Sequence, residues 1–204
     1  MHHKPGPNRF FRWLNTLICH HWHRLETEKI TLPEGPLILI GNHRCGLDPL
    51  LVQASVDRPL CFLMAREYYH GMLGMKWFFN MVGAIPVNPG GANRHALREA
   101  IEVLHKGGVL CIFPEGAANP KIPLKRILPG AAMLALETDS PLLPFRVTGV
   151  WPFDHINIWK GLLRRSRAVV RFGEIMRLNS IDTPEKRDVR AGMKRVKEAL
   201  HNLR

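Results

Sequence analysis

Nowhere in these 204 residues does an apolar run continue for the roughly 18 residues that a membrane-spanning helix needs. The richest stretch, Tyr68 to Val87, is broken by Gly71, Gly74, Lys76 and Asn80, so no span is expected there. No small-residue cleavage site follows a hydrophobic core, and a secretory signal peptide is not expected either. Cysteine is sparse. Cys19, Cys45, Cys61 and Cys111 show no paired spacing and lie in apolar surroundings, which predicts reduced thiols in a cytoplasmic setting. His2-His3 and the His20-His21-Trp22-His23 run have no carboxylate or cysteine at ligand spacing, so neither a metal nor a tightly bound cofactor is expected. Repeats and low-complexity linkers are missing too, and the chain reads most simply as one domain with a full core.

Acidic residues are also scarce, 17 against 29 Lys and Arg, for a net charge of +12. The surplus is peripheral: residues 31–159 carry 11 positive and 10 negative charges, residues 160–204 carry 13 and 5. A basic periphery around a neutral middle predicts an anionic surface that docks the protein, not an anionic substrate that fills it. No nucleic-acid motif is present, and the basic tail has no interleaved aromatics, so nucleic acid is not expected as a partner.

Two segments carry amphipathic patterns. Near the start, Phe10, Trp13, Leu14, Leu17 and Ile18 recur at helical spacing, extended by Trp22 and Leu25 and punctuated by Arg9, Arg12, His20, His23 and Arg24. Residues 1–28 therefore read as an amphipathic helix, either apolar face down in a membrane interface or packed on its own domain. At the other end, Asp182-Thr183-Pro184-Glu185 reads as a capping box ahead of an apolar stripe of Val189, Met193, Val196, Leu200 and Leu203. Arg187, Arg190, Lys194 and Lys197 fall on another face, solvated or turned to an anionic leaflet.

Between these ends, strand and helix patterns alternate. Strands are expected near 37–41, 60–64, 84–87, 108–113, 142–149 and 167–172, and helices near 49–55, 73–81, 93–106, 129–138 and 183–203. The order predicts a single layered α/β domain with a largely parallel central sheet flanked by helices, preceded by the N-terminal amphipathic helix. Pro86, Pro141 and Pro144 suggest strand starts or irregular edges. The aromatic and methionine residues of 68–87 suit core packing or the wall of a lipid-chain tunnel equally well.

Chemistry concentrates behind two apolar runs. Leu37 to Ile40 leads into Gly41-Asn42-His43-Arg44-Cys45-Gly46-Leu47-Asp48-Pro49, which puts a histidine at the carboxyl edge of a strand, where open α/β sheets hold ligands. Asp48 could reach back across the Gly46 turn to hold the imidazole as a general base, and Asp48-Pro49 also reads as an N-cap and first helical residue. A nucleophilic Cys45 is not expected, since residues two apart on a turn seldom face one another. The second run, Leu110 to Ile112, leads into Phe113-Pro114-Glu115-Gly116.

Together these blocks resemble the glycerolipid acyltransferases that acylate glycerol-phosphate and lysophospholipids. The family signature, Asn-His-x-x-x-x-Asp, a Gly-x-Ile segment, Phe-Pro-Glu-Gly and a proline-containing strand, is similar to Asn42–Asp48, Gly83–Val87, Phe113–Gly116 and Pro141–Pro144. Ala65-Arg66-Glu67 and Pro129-Gly130-Ala131-Ala132 match further landmarks, so the likeness spans roughly residues 30 to 150 in order and spacing. It implies an acyltransferase domain over 29–204 on the cytoplasmic face of a membrane, peripheral or monotopic. His43 and Asp48 would be catalytic, and Asn42, Arg66, Arg94, Glu115, Gly116 and Asn119 would bind the acceptor. The acyl group would come from acyl-CoA or acyl-carrier protein, without a covalent acyl-enzyme. Phosphate-binding members carry arginines where this chain has Ala117-Ala118-Asn119 and Asn88-Pro89. Arg66, Arg94 or the Lys121, Lys125 and Arg126 cluster could compensate. A lysophosphodiester, an amino-acid lipid or a glycolipid hydroxyl would also suit as acceptor. Hydrolysis of a lipid ester or thioester, or lipid binding without turnover, are the rival functions.

Overall fold

The computed structural model describes residues 7–71, 74, 76–88, 91, 93–116, 127–150, 163–178 and 184–203. Helix α1 (Arg9–His21) leads into the short strand β1 (Glu26–Thr27). There follow β2 (Leu37–Gly41), α2 (Asp48–Ala54), β3 (Leu60–Ala65), α3 (Arg66–Gly71), α4 (Lys76–Met81) and β4 (Ala84–Val87). The chain continues through α5 (Arg94–His105), β5 (Val109–Ile112), α6 (Gly130–Thr138), β6 (Leu142–Thr148), β7 (Val169–Phe172) and α7 (Lys186–Asn202). The strands form one seven-stranded sheet in the order β1-β7-β6-β2-β5-β3-β4, in which only the β6–β7 pairing is antiparallel.

Strand β2 lies at the centre because every residue in it is apolar or glycine and both of its faces are covered. Leu37 and Leu39 pack on one face with Leu51 and Val52 of α2, Cys19 of α1, and Cys111, Phe145 and Val147 of neighbouring strands. Ile38 and Ile40 pack on the other, with Ala100 and Leu104 of α5, Leu134 of α6, and Val196 and Leu200 of α7. The two amphipathic helices thus sit on opposite faces of the sheet. Beyond β3, Tyr69 and Phe79 form a small third cluster with Ala84, joined by Met64, Phe78 and Val82.

Several expectations are corrected. The helix expected over 73–81 begins at Lys76, and a separate helix, α3, ends at Gly71. The helix-starting box at the carboxyl end is formed by Glu185 and Asp188, each taking the other's backbone N–H, so α7 starts at Lys186; Asp182 and Thr183 lie outside the described residues. Pro144 sits inside an internal strand, not at a start or edge. Its carbonyl accepts from Gly173 N–H at 2.8 Å, so its nitrogen faces β7 as well, and the β6–β7 ladder stops one residue short of it, at Phe145 opposite Phe172. Strand β6 stops at Thr148 because Gly149 turns with φ +71°, and a Cβ there would lie 1.8 Å from the Arg167 carbonyl oxygen.

Candidate active site

The site is built where β2 and β5 end side by side, Ile40 opposite Ile112. Gly41 closes β2 because the Phe145 ring occupies the place of any side chain; a Cβ would meet it at 2.3 Å. Asn42 is buried and spends its carboxamide on β6, accepting from Val147 N–H at 2.8 Å and donating to Val147 O at 2.9 Å. That bracket fixes the chain direction into His43.

His43 meets Asp48 as the turn predicts, with Nδ1 2.9 Å from Oδ2. The same carboxylate oxygen accepts the backbone N–H groups of Arg44 at 2.5 Å and Cys45 at 2.8 Å. Asp48 is wholly buried while His43 keeps an exposed edge. Asp48 is therefore not the N-cap: Leu47 holds that position without a side-chain bond, and the carboxylate is turned back to tie the preceding loop. Asp48 itself is the first helical residue and Pro49 the second, still within the first turn, where a missing N–H costs no helical bond. A carboxylate is acceptor-only, so Nδ1 carries the proton and Nε2 offers a lone pair. Phe113 stacks on the imidazole at 4.3 Å between ring centroids, and its own ring stands on edge against Phe145. Glu115 accepts the His43 backbone N–H through Oε1 at 2.8 Å, and Gly116 turns beside it with φ +73°. The Cys45 thiol lies 3.5 Å from Asp48 Oδ1, and burial, seconded by the Asp48 charge, pushes its pKa well up, which removes it as a thiolate nucleophile.

His43 lines an apolar cavity of about 590 Å³, within the roughly 300–1,000 Å³ usual for small-ligand sites. Phe78, Phe79 and Val82 after β3, Leu97 of α5 and Met133 of α6 line its walls. A family model described as Acyltransferase matches residues 22–148. The chain belongs to the acyltransferase family. Its curated relatives include a 1-acyl-sn-glycerol-3-phosphate acyltransferase of Borreliella burgdorferi, 32% identical over 53% of this chain and 44% of that protein. Another, from Pseudomonas aeruginosa, is 26% identical over 67% of this chain and 53% of its own length. The chain spans about half the length of the curated relatives it matches. Among solved structures, the 1-acyl-sn-glycerophosphate (LPA) acyltransferase PlsC of Thermotoga maritima shares the fold, with a TM-score of 0.61 at 18% identity over 96% of this chain and 79% of that one.

The other expected acyltransferase site residues divide. Arg94 opens α5 and lines the cavity, whereas Arg66 is exposed at the start of α3 and is not among the lining residues. Asn119, with Ala117, Ala118, Lys121, Lys125 and Arg126, lies outside the described residues. Among the described residues, no cluster of three His, Cys, Asp or Glu is arranged for a metal. Sequence reasoning missed two contributors. Asn93 clamps the turn before α5, accepting from Asn88 N–H at 2.6 Å and donating to Asn88 O at 2.7 Å, which places Arg94. An asparagine directly ahead of a helix was the available signal. Phe113 was visible only as part of a motif, and nothing in its spacing announced a ring stacked on His43.

Proposed function

We propose that the protein is a membrane-associated O-acyltransferase that moves a fatty acyl group from acyl-CoA or acyl-carrier protein to a hydroxyl of a lysophospholipid or related glycerolipid. The observation that carries this reading is the His43–Asp48 pair opening onto an apolar cavity. Nε2 takes the acceptor hydroxyl proton as the oxygen attacks the thioester carbonyl carbon. Asp48 holds the ring and balances the imidazolium. When the tetrahedral intermediate collapses, the C–S bond breaks and the imidazolium returns its proton to the leaving thiolate. The cavity keeps the acyl chain and water apart, and Phe113 fixes the face of the ring.

In this reading Glu115 and Asn42 are positioning residues. Glu115 holds the His43 backbone and Asn42 ties it to β6, so neither spends those contacts on the acceptor. Gly116 and Arg94 line the site on the acceptor's path, and Arg94 is the cation best placed to meet its head group. Arg66 and Asn119 remain proposed acceptor contacts from the family pattern. Docking is through α1, which turns Phe10, 69% exposed, and Trp13, 59% exposed, away from the protein, consistent with a peripheral position on a cytoplasmic leaflet. No helix among the described residues is long and apolar enough to cross a membrane.

The test is thioester consumption with labelled acyl-CoA and acyl-carrier protein over a panel of lyso-lipids, with products resolved by mass. His43→Ala is expected to lower acceptor-dependent turnover by about 10²–10⁴-fold. Free fatty acid formed without an acceptor would establish a hydrolase instead. Equal, negligible turnover in wild type and His43→Ala would leave a lipid-binding protein.

A further inference from the structure

A second concavity, of about 340 Å³, is lined by Arg24, Gly149, Arg165, Ser166 and Arg167. Acyl transfer as derived above uses none of them. Backbone pairing holds the cluster together: Ala168 N–H donates to His23 O at 3.1 Å and Glu26 N–H to Ala168 O at 2.8 Å. Beneath it the fully buried His23 places Nδ1 3.0 Å from Ser166 Oγ. Gly149 lets the exit of β6 press on the Arg167 carbonyl, and Arg24 turns at φ +46°. Among the described residues none of these three guanidiniums forms an ion pair with a carboxylate. Three arginines and a serine around one concavity supply donors that fit a tetrahedral oxyanion such as a phosphate ester.

Its place in the fold selects the occupant. Arg165 lies over the Trp22 ring, 4.7 Å from its centroid, and Trp22 continues the exposed stripe of Phe10, Trp13, Leu17 and Ile18. Apolar side chains therefore run directly into the cationic concavity, the arrangement an anionic leaflet complements. Strands β2 and β6 end, and β7 and β1 begin, at one edge of the sheet. His43 and the arginines thus share that edge, two to three strands or roughly 10–15 Å apart at ordinary strand spacing.

We propose that this concavity seats the phosphate of an anionic bilayer phospholipid while the stripe of α1 enters the acyl region, bringing the His43 edge to the leaflet. The inference rests on the docking role of α1 given above. It is tested by cosedimentation with vesicles of phosphatidylcholine alone and of phosphatidylcholine mixed with phosphatidylglycerol. One variant combines Arg24→Asn, which tolerates the left-handed turn, with Arg165→Gln and Arg167→Gln. A control of equal charge, Arg190→Gln with Lys194→Gln and Lys197→Gln, changes exposed residues of α7 on the opposite face.

At roughly fivefold per basic residue, the concavity variant should lose about tenfold to hundredfold in affinity for anionic vesicles and keep its affinity for neutral ones. The control should stay within about threefold of wild type, less than a single charge at the surface is worth. Should the triple variant fail to fold, Arg165→Gln alone, which removes an exposed side chain, should still cost about fivefold. Retained anionic binding in the concavity variant, or an equal loss in the control, overturns the proposal. Wild type that binds neutral vesicles without an anionic gain defeats the concavity alone. Wild type that binds neither kind defeats the docking role of α1 as well.

Discussion

Helices α1 and α7 carry the same kind of sequence, an apolar stripe beside a basic one, and the protein uses them in opposite senses. Helix α7 buries its stripe: Val196 and Leu200 close the core beneath β2, with Gly192 packed tightly against Leu178 and Ala132. Helix α1 presents its stripe outward and packs a polar face inward. Asn15 Nδ2 donates to the Leu50 carbonyl of α2 at 2.8 Å, and the Cys19 thiol points at the same oxygen. Amphipathicity states that a helix has two faces. Which face the protein takes depends on what the partner offers, and α2 offers α1 a carbonyl.

The sharpest way to break this contrast is to place the same polar residue on each stripe. Leu200→Gln should destabilise the protein by about 3–5 kcal/mol, because apolar contacts are lost and an amide is buried without a partner. That is a large part of the roughly 5–15 kcal/mol by which a domain is held folded. Trp13→Gln should change stability by no more than about 1 kcal/mol, as expected of a surface substitution. Urea denaturation of both variants decides the matter. Comparable losses would mean that the outer face of α1 is packed against the protein.

The difference between the two helices was not legible in the sequence, although much else was. Strand β2 and the β5 run announced themselves by apolar residues flanked by turn formers, and the His43–Asp48 spacing predicted the contact that forms. What escaped depends on distant partners. Strand β1 is two residues long and exists because β7 pairs with it, so no local period could reveal it. Asp48 looked like a cap because Asp-Pro usually is one; three donors from the preceding loop take its oxygen instead. Glu115 was visible as part of a family motif, and only the fold brings the His43 N–H to its Oε1 from seventy-two positions away. The outward stripe of α1 is the same kind of case, since a pattern of faces carries no sign.

On vesicles the ranking of the two helices should invert. Trp13→Gln, nearly silent in urea, is expected to weaken binding to neutral vesicles by about tenfold, since an aromatic side chain that would leave water no longer does. Val189→Ala on α7, a partly buried contact to the core cluster, should leave vesicle binding unchanged while costing about 1 kcal/mol of stability. Flotation of both variants beside wild type provides the check. Vesicle binding that tracks stability instead of exposure would remove α1 from the interface.

The smallest effect tests the inner face of α1. Burial pushes the Cys19 thiol from 9.0 to about 12, because a thiolate there would lose its water. The raised value belongs to the folded state, so the unfolded chain gives up this proton first as pH rises. Stability contributed by the protonated thiol is complete below about pH 9 and declines toward pH 12, by at most about 1.4 kcal/mol per pH unit. Cys45 and Cys111 are raised as well, so the total slope is shared. Cys19→Ala should therefore cost a little at neutral pH, through a lost contact, and flatten the alkaline decline by the share of one proton. Urea midpoints measured between pH 8 and 10 for both proteins resolve that difference. An unchanged slope would mean that Cys19 is open to solvent, and that the polar face of α1 is no more firmly held than the apolar one.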